Sequence, residues 1–223
     1  MAMLLHGGPL SPFVRKVTMT LAEKGLLDQV RLVRTPTAML VPNMKLMTDN
    51  PLSKIPTLIA EDGLSLFDSD VICEYLDVTF GPAALIPVSG PHRWRVLKDV
   101  AMASGLLEVL VLARFSRSFL PAQQSPEWIA AMDLKIRTSL DQVETALPAL
   151  AADEFNLAHI SYVCLFGYFD LRFAEFGWRE RHPVAAAWYQ QCGQRPSAQL
   201  TQPYEYQPGA AEDPALQGRL YWE

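Results

Sequence analysis

Long apolar runs are missing from this chain, and so are runs of like charge. A membrane-spanning helix needs about 20 apolar residues in succession; the nearest candidate, Leu106 to Ala113, is short and carries Glu108. No membrane partner is expected. Met1 to Leu10 has neither a basic start nor a sustained apolar core, so no signal peptide is expected. A basic excess is missing too. Lys and Arg number 19 against 24 Asp and Glu, a net charge of -5. That balance argues against a nucleic-acid partner, because phosphate backbones select positive surfaces. Cysteine is scarce: Cys73, Cys164 and Cys192 are the only three, and they do not cluster. They make neither a disulfide framework nor a zinc site, and a reducing, cytoplasmic compartment is the expectation. His6 and His92 have no partner at ligand spacing, so no metal is expected. A Gly-rich phosphate loop, a Gly-x-Ser-x-Gly elbow and internal repeats are absent.

What is present suits one large domain or two smaller ones: 223 residues, half of them hydrophobic. Leu4-Leu5-His6 reads as a buried strand broken by Gly7-Gly8-Pro9. Ser11 is a good N-cap, with Pro12 at the first helical position, where a missing N–H costs nothing. Val14, Val17 and Leu21 recur at helical spacing, and Gly25 stops the helix near Lys24. Val30 to Val33 alternates with Arg31 and Arg34 as a second strand. A strand–helix–strand unit implies parallel pairing with a right-handed crossover. Residues 36–52 read as an irregular or weakly helical connection. Thr57 to Ala60 and Leu64 to Phe67 flank Glu61-Asp62-Gly63, an Asp-Gly hairpin signal. Asp68 or Ser69 then caps a helix through Leu76. The order is that of a thioredoxin-like α/β layout, βαβ-α-ββα.

Gly81-Pro82 to Pro91 lacks periodicity and reads as a linker. Beyond it the chain reads as all-α. Trp94, Leu97, Ala101, Leu107 and Leu110 suggest one long amphipathic helix. Trp128, Met132, Ile136, Leu140, Val143 and Leu147 form a stripe on a helix started by Ser125-Pro126. Ala158 to Phe173 is apolar nearly all round, as a buried central helix would be. Pro183 opens a further helix through Trp188, and residues 196–223 show no clear period. The expected domains are 1–79, a linker at 80–91, helices over 92–202 and a tail at 203–223. Tyr204, Tyr206, Leu220, Tyr221 and Trp222 make the tail apolar enough to dock.

Three segments carry residues suited to chemistry. Ser11 sits beside open backbone N–H groups and the positive end of a helix dipole, which stabilises an anion. A thiol ionises near 8.5, so a thiolate at neutral pH needs such help. A serine hydroxyl can donate a hydrogen bond to it without adding negative charge. The plain alternative is an N-cap and nothing more. At Ile55-Pro56 a cis bond would expose the Ile55 backbone to a peptide-like ligand added as a strand; the alternative is a trans proline opening the strand. At Asp68-Ser69 a helix N-terminus can take a carboxylate, with Asp68 beside it for an ammonium group, or the pair is only a cap. Lys54 and Lys45 are candidates for a second carboxylate, or solvated surface lysines.

These segments lie in Ser11-Pro12-Phe13-Val14-Arg15-Lys16, in Asn50-Pro51-Leu52-Ser53-Lys54-Ile55-Pro56-Thr57-Leu58 and in Phe67-Asp68-Ser69-Asp70-Val71-Ile72-Cys73-Glu74-Tyr75-Leu76. With Asn156-Leu157-Ala158-His159-Ile160, they make the chain resemble the cytosolic glutathione transferases of bacterial type over nearly its whole length. The resemblance implies a homodimer with a thioredoxin-like first domain and an all-helical second domain that supplies the electrophile pocket. It implies glutathione as co-substrate, and detoxification of a small apolar electrophile as the setting. Ser11 would be catalytic. Ser11, Phe13, Lys45, Lys54, Ile55, Pro56, Asp68 and Ser69 would bind glutathione, and Ile55-Pro56 would be cis. The electrophile would lie over Met102, Leu106, Leu110 and Arg114. The alternatives are a glutathione-dependent reductase, isomerase or peroxidase, and a partner-binding protein without activity. Family members that reduce disulfides carry Cys where this chain has Ser11, and Val14 stands at the second thioredoxin cysteine. In the buried-helix cap, Asn156 and His159 stand where the family has Ser or Thr and Asp. Neutral His159 is expected to accept from the Asn156 N–H, and an Asp in its place to stabilise.

Overall fold

The computed structural model describes residues 2–81, 85–119, 122, 125–205 and 220–222. In the first part of the chain β1 (Met3–Gly7) leads through a turn to α1 (Pro12–Glu23), then to β2 (Val30–Arg34). β1 and β2 pair in parallel from Met3↔Val30 to Gly7↔Arg34. β3 (Thr57–Ile59) lies antiparallel on the other side of β1, and β4 (Ser65–Leu66) beyond it, giving the order β2-β1-β3-β4. Gly63, at φ +87°, supplies the left-handed residue of the β3–β4 hairpin. α2 (Ser69–Thr79) closes the unit and packs on α1. Val14, Val17 and Leu21 face the core as their spacing requires. The helix expected between β2 and β3 is a single 3-10 turn, Leu46–Thr48. Its neighbours Met44 and Lys45 are exposed, so no apolar stripe exists there to bury a longer helix.

By contacts the chain divides into Met1–Ile86 with Gln194–Glu223, and Pro87–Gly193. Residues 194–202, expected with the helices, therefore pack with the thioredoxin-like unit. They form α8 (Pro196–Leu200), which the periodicity missed because five residues are too few to show a period. Pro196 at the first helical position was the available signal.

The second unit holds α3 (Gly90–Phe119), α4 (Pro126–Ala151), α5 (Leu157–Arg172), α6 (Trp178–Arg181) and α7 (Pro183–Cys192). α3 is the long helix expected, and of its expected face Leu107 and Leu110 are buried and Leu97 half-buried. Val96, Val100, Ala103, Leu107 and Leu110 are buried, whereas Trp94 and Ala101 are exposed. Small Val and Ala make the close-packed seam and the large Trp94 stands outside it. On α4 the stripe from Met132 to Leu147 is buried, and Trp128, in the first turn, is partly exposed. α5 is buried at every residue from Leu157 to Phe169.

The α5 cap takes the expected form. The Asn156 side chain accepts from the Ala158 N–H at 3.0 Å, and the Asn156 N–H donates to His159 Nδ1 at 3.3 Å. The His159 ring is buried and lies against Phe155 and Trp188, with centroids 5.1 and 5.8 Å away. These contacts reverse the sign expected for His159→Asp. An anion at the helix start gains about 0.5–1 kcal/mol, but losing two ring contacts worth roughly 0.5–1.5 kcal/mol each outweighs that. His159→Asp should therefore lower the melting temperature at pH 7; an increase would mean that the ring contacts contribute little.

Both described ends of the C-terminal tail are docked on the first unit. The Tyr204 hydroxyl donates to the Leu220 carbonyl at 2.8 Å, and the Leu220 N–H donates to the Leu200 carbonyl at 3.1 Å. Trp222 is 2% exposed, while Tyr221 is partly exposed. Tyr206 lies outside the described residues, as does the part of the expected linker at 82–84.

Candidate functional site

The strand directions bring the three expected segments together. β1 ends at Gly7, and four residues later comes Ser11. β3 runs against β1, with His6 opposite Thr57, so Ile55-Pro56 lies at that same end of the sheet. β4 runs against β3, with Leu66 opposite Leu58, so its exit into Asp68-Ser69 lies there too. Two helix N-termini, those of α1 and α2, consequently open at one edge.

Ser11 has extended φ and ψ of -84° and 122°, and its Oγ accepts from the Val14 N–H at 3.3 Å. Among the described residues its hydroxyl hydrogen has no acceptor, so it is left to donate outward. No acidic residue stands in the first turn of α1, and the dipole is uncompensated there. Phe13 beside it is half-buried.

The Ile55-Pro56 bond is cis. Pro56 is buried and Ile55 half-buried. Among the described residues the Ile55 N–H and C=O have no hydrogen-bond partner, leaving both for a strand-like ligand. The loop is held from below by Asn50, which is fully buried. Its Nδ2 donates to the Lys54 carbonyl at 3.1 Å and to Thr57 Oγ1 at 3.0 Å, and its Oδ1 accepts from the Leu52 N–H at 3.0 Å. Thr57 Oγ1 in turn donates to the Lys54 carbonyl at 2.9 Å. Sequence reasoning quoted Asn50 and Thr57 without a role; a polar pair seven apart, flanking an X-Pro turn, was the signal.

Asp68, not Ser69, is the N-cap of α2. Its Oδ1 accepts from the Asp70 and Val71 N–H groups at 3.0 and 3.3 Å, and its side chain is exposed. Ser69 is buried at the first helical position. Behind them the Lys16 ammonium, fully buried on α1, donates to Asp70 Oδ1. This ion pair, unseen in the sequence, fastens the start of α2 to α1 and so fixes Asp68-Ser69 relative to Ser11. Lys54 and Lys45 are both exposed. His6, at the same sheet end, holds Thr35 Oγ1 through Nδ1 at 2.8 Å and stands 3.4 Å from Asp49. Burial lowers its pKa below the ordinary value, against the pull of Asp49.

In the second unit, Met102, Leu106, Leu110 and Arg114 all lie on α3 at four-residue steps. Leu106 and Leu110 are buried, and Met102 and Arg114 are half-buried. Among the described residues no group of His, Cys, Asp and Glu could hold a metal, and no helix is long and apolar enough to cross a membrane.

A thioredoxin-like sheet with a serine-capped α1, a cis-proline turn and a capped α2 at one edge, joined to an all-helical unit, defines the glutathione transferase architecture. The comparisons agree. The family model described as the glutathione S-transferase N-terminal domain matches residues 10–79, and that of the C-terminal domain matches residues 126–191. The chain belongs to this family. It is 31% identical to the uncharacterized GST-like protein YibF of Escherichia coli K12, over 90% of this chain and 98% of that protein. A glutathione transferase family member from Pseudomonas fluorescens Pf-5, solved with bound glutathione, superposes with a TM-score of 0.88 at 39% identity, covering 91% of this chain and all of that one. A glutathione S-transferase from Methylobacillus flagellatus KT, solved with glutathione bound, gives 0.82 at 31% identity, covering 91% and 100%.

Proposed function

We propose that this protein binds glutathione at the edge formed by Ser11, Ile55 and Asp68, and directs its thiolate onto a small apolar electrophile, forming a thioether as the electrophile's leaving group departs or its activated double bond is saturated. One observation carries the proposal: a donating hydroxyl, a free backbone edge and a capped helix N-terminus converge on one face, and glutathione offers a thiol, a peptide backbone and a γ-glutamyl end to match. The Ser11 hydroxyl donates to the thiolate. Ile55 pairs the cysteinyl backbone, with Pro56 shaping the turn and Phe13 flanking it. Asp68 takes the γ-glutamyl ammonium and Ser69, at the start of α2, the carboxylate. Lys54 and Lys45 serve the glycyl carboxylate. Met102, Leu106, Leu110 and Arg114 are assigned to the electrophile. Serine at position 11 and valine at position 14 favour conjugation over disulfide reduction, since no cysteine is there to form a mixed disulfide. The protein works as a homodimer in a reducing compartment, consistent with three free cysteines.

Calorimetric titration with glutathione tests the binding step, and product analysis tests the reaction. An activated aryl halide, an organic hydroperoxide and an isomerisable double bond are offered in parallel. A thioether from the halide supports conjugation. Turnover of the peroxide or the double bond alone transfers the assignment to the corresponding alternative. No heat of binding at millimolar glutathione refutes the site.

A further inference from the structure

The turn that carries Ser11 rests on the far end of the chain. Gly7 is the last residue of β1, and its missing side chain is what makes room: a Cβ there would lie 2.5 Å from the Trp222 ring and 2.7 Å from Val14 Cγ1. The benzo edge of the indole therefore lies against the backbone from which the Gly8–Ser11 turn departs. That turn is short and tied to itself, the Ser11 N–H donating to the Gly8 carbonyl at 3.2 Å. Trp222 also shares a small pocket wall with Gly8, Pro9, Val14 and Arg15.

The indole is held there by a chain of bonds within the same unit. Arg195 and Ser197 bond the Glu23 carboxylate at the end of α1. Arg15, nearly fully buried, donates through Nη2 to the Ala198 carbonyl at 3.1 Å and through Nε to Thr201 Oγ1 at 3.5 Å. The Leu200 carbonyl and the Tyr204 hydroxyl then fix Leu220, two residues before Trp222. These bonds tie α8 and its flanks to both ends of α1, and tie Leu220 to α8 and to Tyr204.

We propose that Trp222 is a positioning residue for Ser11: it sets the height of the Gly7–Ser11 backbone and so aims the Ser11 hydroxyl at the bound sulfur. The inference rests on the glutathione reading of the site. Its physical basis is that a donor must be held at hydrogen-bonding distance and angle to the developing thiolate, and misplacement by about 1 Å can cost up to 10²-fold in rate. A truncated Trp222 leaves a void directly under Gly7, where no side chain of Gly7 can fill it.

The experiment is a double-mutant cycle on the full chain: wild type, Trp222→Ala, Ser11→Ala and the pair. The readouts are kcat, KM for glutathione, and the ultraviolet absorbance of bound thiolate against pH. Trp222→Ala should lower kcat roughly tenfold with KM changed less than about threefold, and raise the pH midpoint of thiolate formation. In the Ser11→Ala background the same change should have almost no further effect. Trp222→Phe, which keeps a ring under Gly7, should restore kcat and the midpoint, and guards against a fold lost in the alanine variant. Trp222 is also the one tryptophan of the first unit, the other four lying at positions 94, 128, 178 and 188. The emission difference between wild type and Trp222→Phe should respond to glutathione. If Ser11→Ala itself leaves turnover intact, the reading of the thiol site fails. If Ser11→Ala is impaired but Trp222→Ala acts additively with it, or leaves kcat and the thiolate midpoint unchanged, the positioning role is overturned.

Discussion

Ser11→Ala is expected to lower kcat by one to two orders of magnitude while leaving glutathione affinity within about threefold. In the proposed mechanism the hydroxyl donates to a charged sulfur in the reactive state, and hydrogen bonds to charged groups contribute about 1.5–3 kcal/mol. That range corresponds to roughly 10- to 150-fold in rate. Binding should change little, because on the same proposal Ile55, Asp68 and the start of α2 would hold the ground state whether or not the sulfur is ionised. The thiolate midpoint should rise, since the variant retains the α1 dipole but loses the directed donor. The same substitution removes the acceptor for the Val14 N–H, so a stability loss of about 0.5–2 kcal/mol accompanies it. Ser11→Gly separates the two effects: glycine caps almost as well as serine but offers no hydroxyl, so it should keep the melting temperature and lose the rate. Wild-type turnover for both variants from pH 6 to pH 8 would falsify the assignment and leave Ser11 as a cap.

Much of this site was legible in the sequence, because its parts are local. Ser11-Pro12, Asp62-Gly63 and Asp68-Ser69 each specify a cap or a turn through the chemistry of adjacent residues, and each does so in the structure. The Asn156–His159 cap likewise needed only three residues of spacing. The missed features are those in which distant residues decide. Lys16 and Asp70 are separated by 54 positions, and nothing local tells a buried lysine from a solvated one. Gly7 reads as a strand breaker; its use as the seat of an indole 215 positions away is visible only once the C-terminal segment is packed (222 minus 7). The N-terminal half of the α3 face failed for a different reason. Large residues such as Trp94 were given the core, while close packing selected the smaller Val96, Val100 and Ala103.

Phe166→Ala is expected to give the largest loss of stability, about 3–5 kcal/mol. Phe166 lies at the middle of α5 and is completely buried. Its ring stacks on Trp178 of α6, with centroids 4.5 Å apart and planes at 20°. It meets Trp188 of α7 at 6.3 Å and 62°, and Tyr189 at 5.8 Å. Removing it opens a cavity where rings of α5, α6 and α7 meet. The walls are poorly able to close it, because Trp178 is fixed from outside. Its Nε1 donates to Asp170 Oδ1 at 3.1 Å, and Arg179, whose Nη2 donates to Asp170 Oδ2 at 2.6 Å, lies 4.6 Å over the indole. A domain stable by about 5–15 kcal/mol would lose roughly a fifth or more of that margin. Tryptophan emission in urea measures it, since four of the five tryptophans lie in the helical unit. The midpoint should fall with the slope unchanged, and Phe166→Leu, which leaves a smaller void, should lose less than half as much. A midpoint shift worth less than about 1.5 kcal/mol in the alanine variant would mean that Trp178 and Trp188 collapse into the space, and that the Asp170–Arg179 clasp does not hold the indole in place.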